Sequence, residues 1–246
     1  SGAGRPAAAV RAGDAAPRKT VVTFAAPRPS GRTLRPLLKK AATLHTEQVR
    51  EAVSLPPDVS HDAWLASQLV SVYEAITHLV AGLEDLCTER SCPVMYAARN
   101  VECLWADERD PTPRRVSAPQ YMRLLTKMAY RTLSDRAFVP EDGGAFPEEF
   151  HPRLRKLLRR FARVYCHTYN YHSHSMSKHH AEAHLNCSFK HFMWFVREFN
   201  LLDEQEFDPI RPVVDKFTRT AATSKATAMA QTKSPLAAAP GPPPAG

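Results

Sequence analysis

Two thiols, Cys87 and Cys92, stand five positions apart, and far downstream two imidazoles, His167 and His172, repeat that interval. Two cysteines and two histidines suit a tetrahedral zinc site of the structural kind, with no position left open for chemistry. Such a set would tie a segment near the middle of the chain to a helix much later, which restricts the fold more than any other feature. The competing reading is a buried cysteine pair beside unrelated surface histidines, because C-x4-C is looser than the common C-x2-C knuckle and the chain holds 11 histidines. On an ideal helix, side chains five apart diverge by about 140°. His167 and His172 therefore reach one ion only at the helix flank, or if the helix ends or bulges between them. His174 is a spare candidate donor.

The apolar pattern between these donors is helical. Ser60 suits an N-cap and Asp62 a first-turn acid. A stripe then runs through Trp64, Leu65, Leu69, Val72, Ile76, Leu79, Leu83 and Leu86 and delivers the chain to Cys87. A shorter amphipathic pattern over 34–53, with Leu37, Leu38, Ala41, Ala42 and Val49, precedes it. Pro119 opens a helix with Tyr121, Leu125 and Ala129 on its buried face. The helix predicted over 148–170 gathers Leu154, Leu157, Leu158, Phe161 and Tyr165 on one side. Lys156, Arg159, Arg160 and Arg163 fall on the other, which predicts a coherent exposed basic face. Later helices are expected over 178–184 and from a cap at Asn186 or Ser188 through Phe199. Asp203 with Glu206 reads as a capping box, and Pro209 as the start of a last short helix. Only the stretch from Val101 to Trp105 suggests a hairpin. The expected fold is an all-α domain over 34–217 built on a helical bundle. It would be flanked by a disordered basic arm over 1–33 and a disordered Ala/Pro-rich tail over 218–246.

A net charge of +8 suggests an anionic partner, but much of the excess lies before Ser54, among residues such as Arg5, Arg11, Arg18, Arg28 and Lys39. Five cysteines, an odd number, argue against a disulfide framework and for a reducing compartment, expected to be the cytoplasm, with the nucleus also open. No apolar run is long enough to span a membrane. The Ala-rich start has no continuous apolar core and does not read as a secretory leader. There is no phosphate-binding glycine loop, no G-x-S-x-G and no H-E-x-x-H. His180 and His184, with Glu182 between them, form a weaker metal pair. The basic face has three readings: a solvated surface, a nucleic-acid contact with no aromatic platform beside it, and a compact phosphate site in which guanidinium groups grip a phosphoresidue.

Several stretches, in order, carry a specific likeness: Leu86-Cys87-Thr88-Glu89-Arg90-Ser91-Cys92-Pro93-Val94-Met95, Ser117-Ala118-Pro119-Gln120-Tyr121, Arg163-Val164-Tyr165-Cys166-His167 and Ala183-His184-Leu185-Asn186-Cys187-Ser188-Phe189-Lys190-His191-Phe192. Over about 37–217 the chain resembles the Mob (Mps-one-binder) family of kinase activators. The resemblance implies a fold around a four-helix bundle with one structural zinc on Cys87, Cys92, His167 and His172. It also implies a non-catalytic adaptor that binds the regulatory region of an NDR/LATS-type kinase and docks phosphopeptides of an upstream Ste20-type kinase. The phosphate triad maps onto Arg159, Arg160 and Arg163. The kinase face falls at Asp58, Asp62, Trp64, Glu84 and Asp85, although Val59, Ala63 and Ser71 stand where the family carries acids. Thr43, and more loosely Thr23, align with regulatory phosphosites on an N-terminal arm that masks the kinase face. Two other functions stay open: a scaffold of this fold that no longer binds such kinases, and a nucleic-acid-binding zinc module.

Overall fold

The computed structural model describes residues 46–140 and 145–219. The sequence expectations for Thr23, Thr43, the arm over 1–33, the apolar positions Leu37 to Ala42 and the tail beyond 219 lie outside the described residues. Among those described, the elements run in the order α1 (Thr46–Val53), α2 (His61–Gly82), β1 (Tyr96–Ala98), β2 (Val101–Glu102), α3 (Ala118–Leu133) and α4 (Phe150–His167). A π-helical turn (Thr168–His172), α5 (Ser173–Lys178), α6 (Glu182–Glu198) and a 3-10 helix (Glu204–Ile210) follow. Residues 211–219, α7, are again helical.

The four long helices α2, α3, α4 and α6 make the bundle, and α2 packs against each of the other three. Its start is fixed by Ser60, whose hydroxyl accepts from the Ala63 amide at 3.3 Å, and its inward stripe buries Leu65, Leu69, Val72, Ile76 and Leu79. Ser117 caps α3 in the same way, accepting from the Gln120 amide at 3.2 Å, with Pro119 in the first turn where no amide partner is lost. The short α1 lies across α6. Two bonds from α2 hold its end: Trp64 Nε1 donates to the Val53 carbonyl at 2.9 Å, and Gln68 Nε2 to that of Ala52 at 3.2 Å. At the centre Phe189 is fully buried, with Tyr165, Tyr169, Phe207 and Phe217 around it at ring separations of 5.2, 5.3, 6.0 and 6.2 Å.

Local expectations fail where a tertiary contact intervenes. The hairpin lies earlier than expected, Tyr96 pairing with Glu102 and Ala98 with Val101. Trp105 leaves it and makes a separate bridge to Arg114 through two backbone bonds of 2.8 Å. The helix expected over 178–184 is broken. His180 adopts a left-handed backbone (φ 56°), its amide bonds Ser177 O, and the next amide, of Ala181, bonds Met176 O, which together form a Schellman stop. Asn200 (φ 49°) ends α6 by the same device, with Leu201 N bonded to Val196 O. Asn186 and Ser188 are not caps but lie inside α6, because Asn186 turns inward to accept from the buried Tyr169 hydroxyl at 2.9 Å. Asp203 makes no side-chain cap bond. The capping box fails because the Glu206 carboxylate is drawn to Arg159 instead. Pro209 sits within the 3-10 helix rather than at the start of α7.

Truncating Phe189 to Ala removes the ring that joins α4, α6, the 3-10 helix and α7. Thermal or denaturant unfolding of Phe189→Ala should show a loss of about 3–5 kcal/mol. A loss below 1 kcal/mol would mean that the aromatic cluster is not the shared core of these elements.

Candidate metal centre and basic face

The thiols come from the turn after α2. Cys87 closes that turn, with its amide 2.7 Å from Leu83 O, and Cys92 N bonds Thr88 O at 2.8 Å. The intervening residues clamp each other. Thr88 N donates to Ser91 Oγ at 2.9 Å, and Ser91 N to Thr88 Oγ1 at 3.1 Å. This pair folds C-x4-C into a knuckle that aims both sulfurs inward. The Cys92 carbonyl then accepts from Ala118 N at 3.0 Å, tying the knuckle to the start of α3.

The imidazoles come from the end of α4, where the helix changes pitch. The π-turn from Thr168 to His172 bonds residues five apart rather than four, so His167 and His172 come nearly one turn apart and face the same way. Their Nε2 atoms are 3.2 Å apart. Cys87 Sγ lies 3.5 Å from His167 Nε2, and Cys92 Sγ 3.4 Å from His172 Nε2. Tetrahedral coordination with metal–sulfur bonds of ~2.3 Å and metal–nitrogen bonds of ~2.05 Å requires about 3.3 Å between nitrogens and about 3.5 Å from nitrogen to sulfur. All four residues are buried and their ligand atoms lie within 4.8 Å of one another. The donor set therefore fits a four-coordinate divalent ion.

Other groups orient these ligands. His167 Nδ1 lies 2.8 Å from the Tyr96 carbonyl, which places its proton there and frees Nε2 for the centre. Tyr171 stacks on the same ring at 4.9 Å. The neighbouring Cys87 thiol draws the Cys92 thiol well below its ordinary range, with both histidines adding to the effect against its burial. The hydrogen bond between the two, with burial, pushes Cys87 upward. A divalent ion between them would hold both sulfurs as thiolates and release any proton they carry.

Asn170 is a functional residue that sequence reasoning missed. Its Nδ2 faces three carbonyls, Ala97 at 2.9 Å, Cys166 at 3.0 Å and Pro209 at 3.1 Å. Cys166 O is the group that a continuing α-helix would bond to the Asn170 amide. The side chain thus supports the π-turn and joins it to β1 and the 3-10 helix. An asparagine in mid-helix was the available signal, since it disfavours a regular helix interior. His174, His180 and His184 are exposed and join no metal group among the described residues.

The three arginines of α4 do not form one exposed face. Arg159 is paired to Glu206, Nε to Oε1, at 2.8 Å. Arg160 is buried. Its guanidinium lies 4.4 Å over the Trp105 ring and donates to Ala106 O and, at 3.0 Å, to Met128 Sδ. The reason is angular: Arg160 sits about 60° round the helix from buried Leu157, at the edge of the stripe, and the 105–114 loop closes over it. That loop is shaped by Asp107, which accepts from Trp105 Nε1 and from the amides of Arg109 and Asp110, each at 3.0 Å. Arg163 is half-buried, with Nη1 3.4 Å from the Tyr121 hydroxyl. Beside Arg160, a groove of about 360 Å³ is lined by Arg109, Lys127, Arg131, Arg153 and Lys156, with Asp107 and Asp135 among its acids.

The expected kinase-face residues do not form one patch. Asp58, Asp62 and Trp64 lie at the start of α2. Glu84 and Asp85, both exposed, follow its end, and 22 residues of helix separate the groups by about 33 Å. Trp64 is half-buried, its indole committed to Val53.

Fold and centre together define a helical domain clasped by a buried Cys2His2 site. The chain belongs to the Mob1/phocein family, whose family model matches residues 41–210. It is 38% identical over 176 residues to the maintenance of ploidy protein mob1 of Schizosaccharomyces pombe, covering 71% of this chain and 84% of that protein. It is 39% identical over 175 residues to the MOB kinase activator-like 2A of Arabidopsis thaliana, covering 70% and 81%. To the human MOB kinase activator 3C it is 36% identical over 170 residues, covering 68% and 79%.

Replacing Asn170 by Ala should weaken the affinity of the centre for an added divalent ion by about tenfold, the low end for outer-shell losses. Competition of cobalt-loaded protein against a chromophoric chelator measures this. Unchanged affinity would mean that the π-turn stands without that side chain.

Proposed function

We propose that this protein is a non-catalytic adaptor that binds and activates a protein kinase, with its Cys2His2 centre filled by a structural zinc ion. Membership of a family whose relatives bear the name kinase activator carries the reading. Two thiolates and two imidazoles in a closed, buried set favour zinc and leave no open position for substrate. What the ion supplies when bound is cross-linking, and its binding energy becomes folding energy. Cys87, Cys92, His167 and His172 would hold it.

The kinase is of NDR/LATS type and contributes a basic regulatory segment. That segment meets the start of α2, where exposed Asp58 and half-buried Asp62 and Trp64 stand together. Glu84 and Asp85, about 33 Å away, contact only a segment long enough to run the length of the helix. The purified full chain should co-purify with such a segment at low salt, and Asp58→Lys should weaken the complex. Absence of any complex would leave the scaffold reading, in which the fold serves another partner.

A phosphopeptide of a Ste20-type kinase docks at Arg159 and Arg163. Both are half-buried, and both can grip phosphate oxygens with a planar fork. Arg160 acts from beneath as a fixed cation locked on Trp105. The basic groove beside it supports acidic residues flanking the phosphate. Glu206 occupies Arg159 in the free protein and has to give way. Each charge-assisted contact is worth about 1.5–3 kcal/mol, so Arg159→Ala/Arg163→Ala should weaken a phosphothreonine peptide by roughly 100-fold or more. Glu206→Gln, which removes the competing charge, should tighten it. Calorimetry with the phosphorylated and unphosphorylated peptides tests both variants. Equal affinity for the two peptides, or an unaffected double variant, would leave only a solvated charged surface.

A further inference from the structure

A second group of metal-ligating side chains lies at the opposite end of α2 from the Cys2His2 centre. His61 and Asp62 open α2, and His151 is the second residue of α4. Asp62 Oδ1 lies 3.1 Å from His61 Nδ1 and 3.0 Å from His151 Nε2. One ligand atom from each residue falls within 4.8 Å of the other two, the same limit that the buried centre meets. These separations approach the about 3.3 Å that nitrogen and oxygen ligands adopt around one tetrahedral ion.

The rings are held in place by neighbours rather than by each other alone. Phe199, which follows α6, meets His61 edge-on at 5.5 Å, and buried Phe150 meets His151 edge-on at 5.4 Å. The two imidazoles lie near-parallel, 23° apart in plane with centroids at 6.0 Å. The start of α2, the start of α4 and the end of α6 thus converge to present two nitrogens and one carboxylate oxygen to solvent.

We propose that His61, Asp62 and His151 form a second, exposed site for a divalent transition ion of the zinc type, with solvent in its remaining positions. Two neutral imidazoles and one carboxylate suit a borderline metal better than calcium or magnesium, which take oxygen donors. His61 coordinates through Nδ1 and His151 through Nε2, so each keeps its proton on the other nitrogen. One carboxylate neutralises only half of the ion's charge, and two helix N-termini, which carry positive partial charge, point towards it. Binding is therefore weaker than at the buried centre and reversible in the micromolar range. Occupancy draws Asp62 away from solvent. An ion here would thereby alter the charge at the start of α2.

The test uses the full chain already carrying one zinc per molecule. Equilibrium dialysis against graded free zinc, read by elemental analysis, should show a second equivalent. That equivalent should be lost in His151→Ala, in His61→Gln and in Asp62→Asn while the first is kept. His184→Ala, which changes an exposed histidine elsewhere, should retain both. Cobalt added to the zinc-loaded protein should give weak visible bands without the thiolate-to-cobalt charge transfer of a cysteine site. Three results would each overturn the proposal: no second equivalent below millimolar zinc, a second equivalent that survives in the three variants, or thiolate charge transfer from the second cobalt.

Discussion

Everything in this domain hangs on a change of pitch at the end of α4. A regular helix would turn His172 about 140° away from His167, leaving only the helix flank for an ion that both imidazoles could reach. Five residues of π-helix bring both Nε2 atoms to 3.2 Å, opposite the sulfurs of Cys87 and Cys92. A π-turn departs from the regular backbone bonding, and Asn170 offsets this by directing its two amide protons among the Cys166, Ala97 and Pro209 carbonyls. The turn therefore helps set the register between the knuckle after α2, the hairpin and the 3-10 helix.

Helix α4 serves three purposes along one length. Its inner stripe packs the bundle through Leu154, Leu158, Phe161 and Tyr165. Its flank carries arginines that are each engaged: Arg159 by Glu206, Arg160 by Trp105 and Ala106, and Arg163 by Tyr121. Its end carries His167, one of the four candidate metal donors. Because one rigid rod bears all three, the basic groups are positioned by the same packing that fixes the centre. A phosphate arriving here would meet preorganised cations, and its affinity would depend on how readily Glu206 yields. In the proposed phosphate site, Glu206 would thus tune the affinity as the partner that Arg159 has in the free protein.

The parts legible in the sequence are those governed by local chemistry. Ser60 and the apolar stripe behind it specify α2, Pro119 marks the start of α3, and the paired thiols and imidazoles mark candidate donors, with His174 and a non-metal reading still open until the geometry brings four of them together. The parts that were not legible depend on partners distant in the chain. Arg160 looks exposed on a helical projection, yet a loop some 50 positions earlier buries it under Trp105. The left-handed stops at His180 and Asn200 carry no glycine to announce them. The hairpin was misplaced because Trp105 bonds to Arg114 rather than to its nearer neighbours. For the π-turn, the requirement was readable from the five-residue interval between the histidines, but its form was not.

The account makes the metal centre the clasp of the whole domain, and metal content of the folded protein tests that most directly. Protein purified without added metal should carry one zinc per chain by elemental analysis. Removing that zinc with a chelator should unfold the domain cooperatively at temperatures where the loaded protein is stable, because the binding energy is folding energy. Protein that is fully folded and thermally unchanged with no metal bound would contradict it.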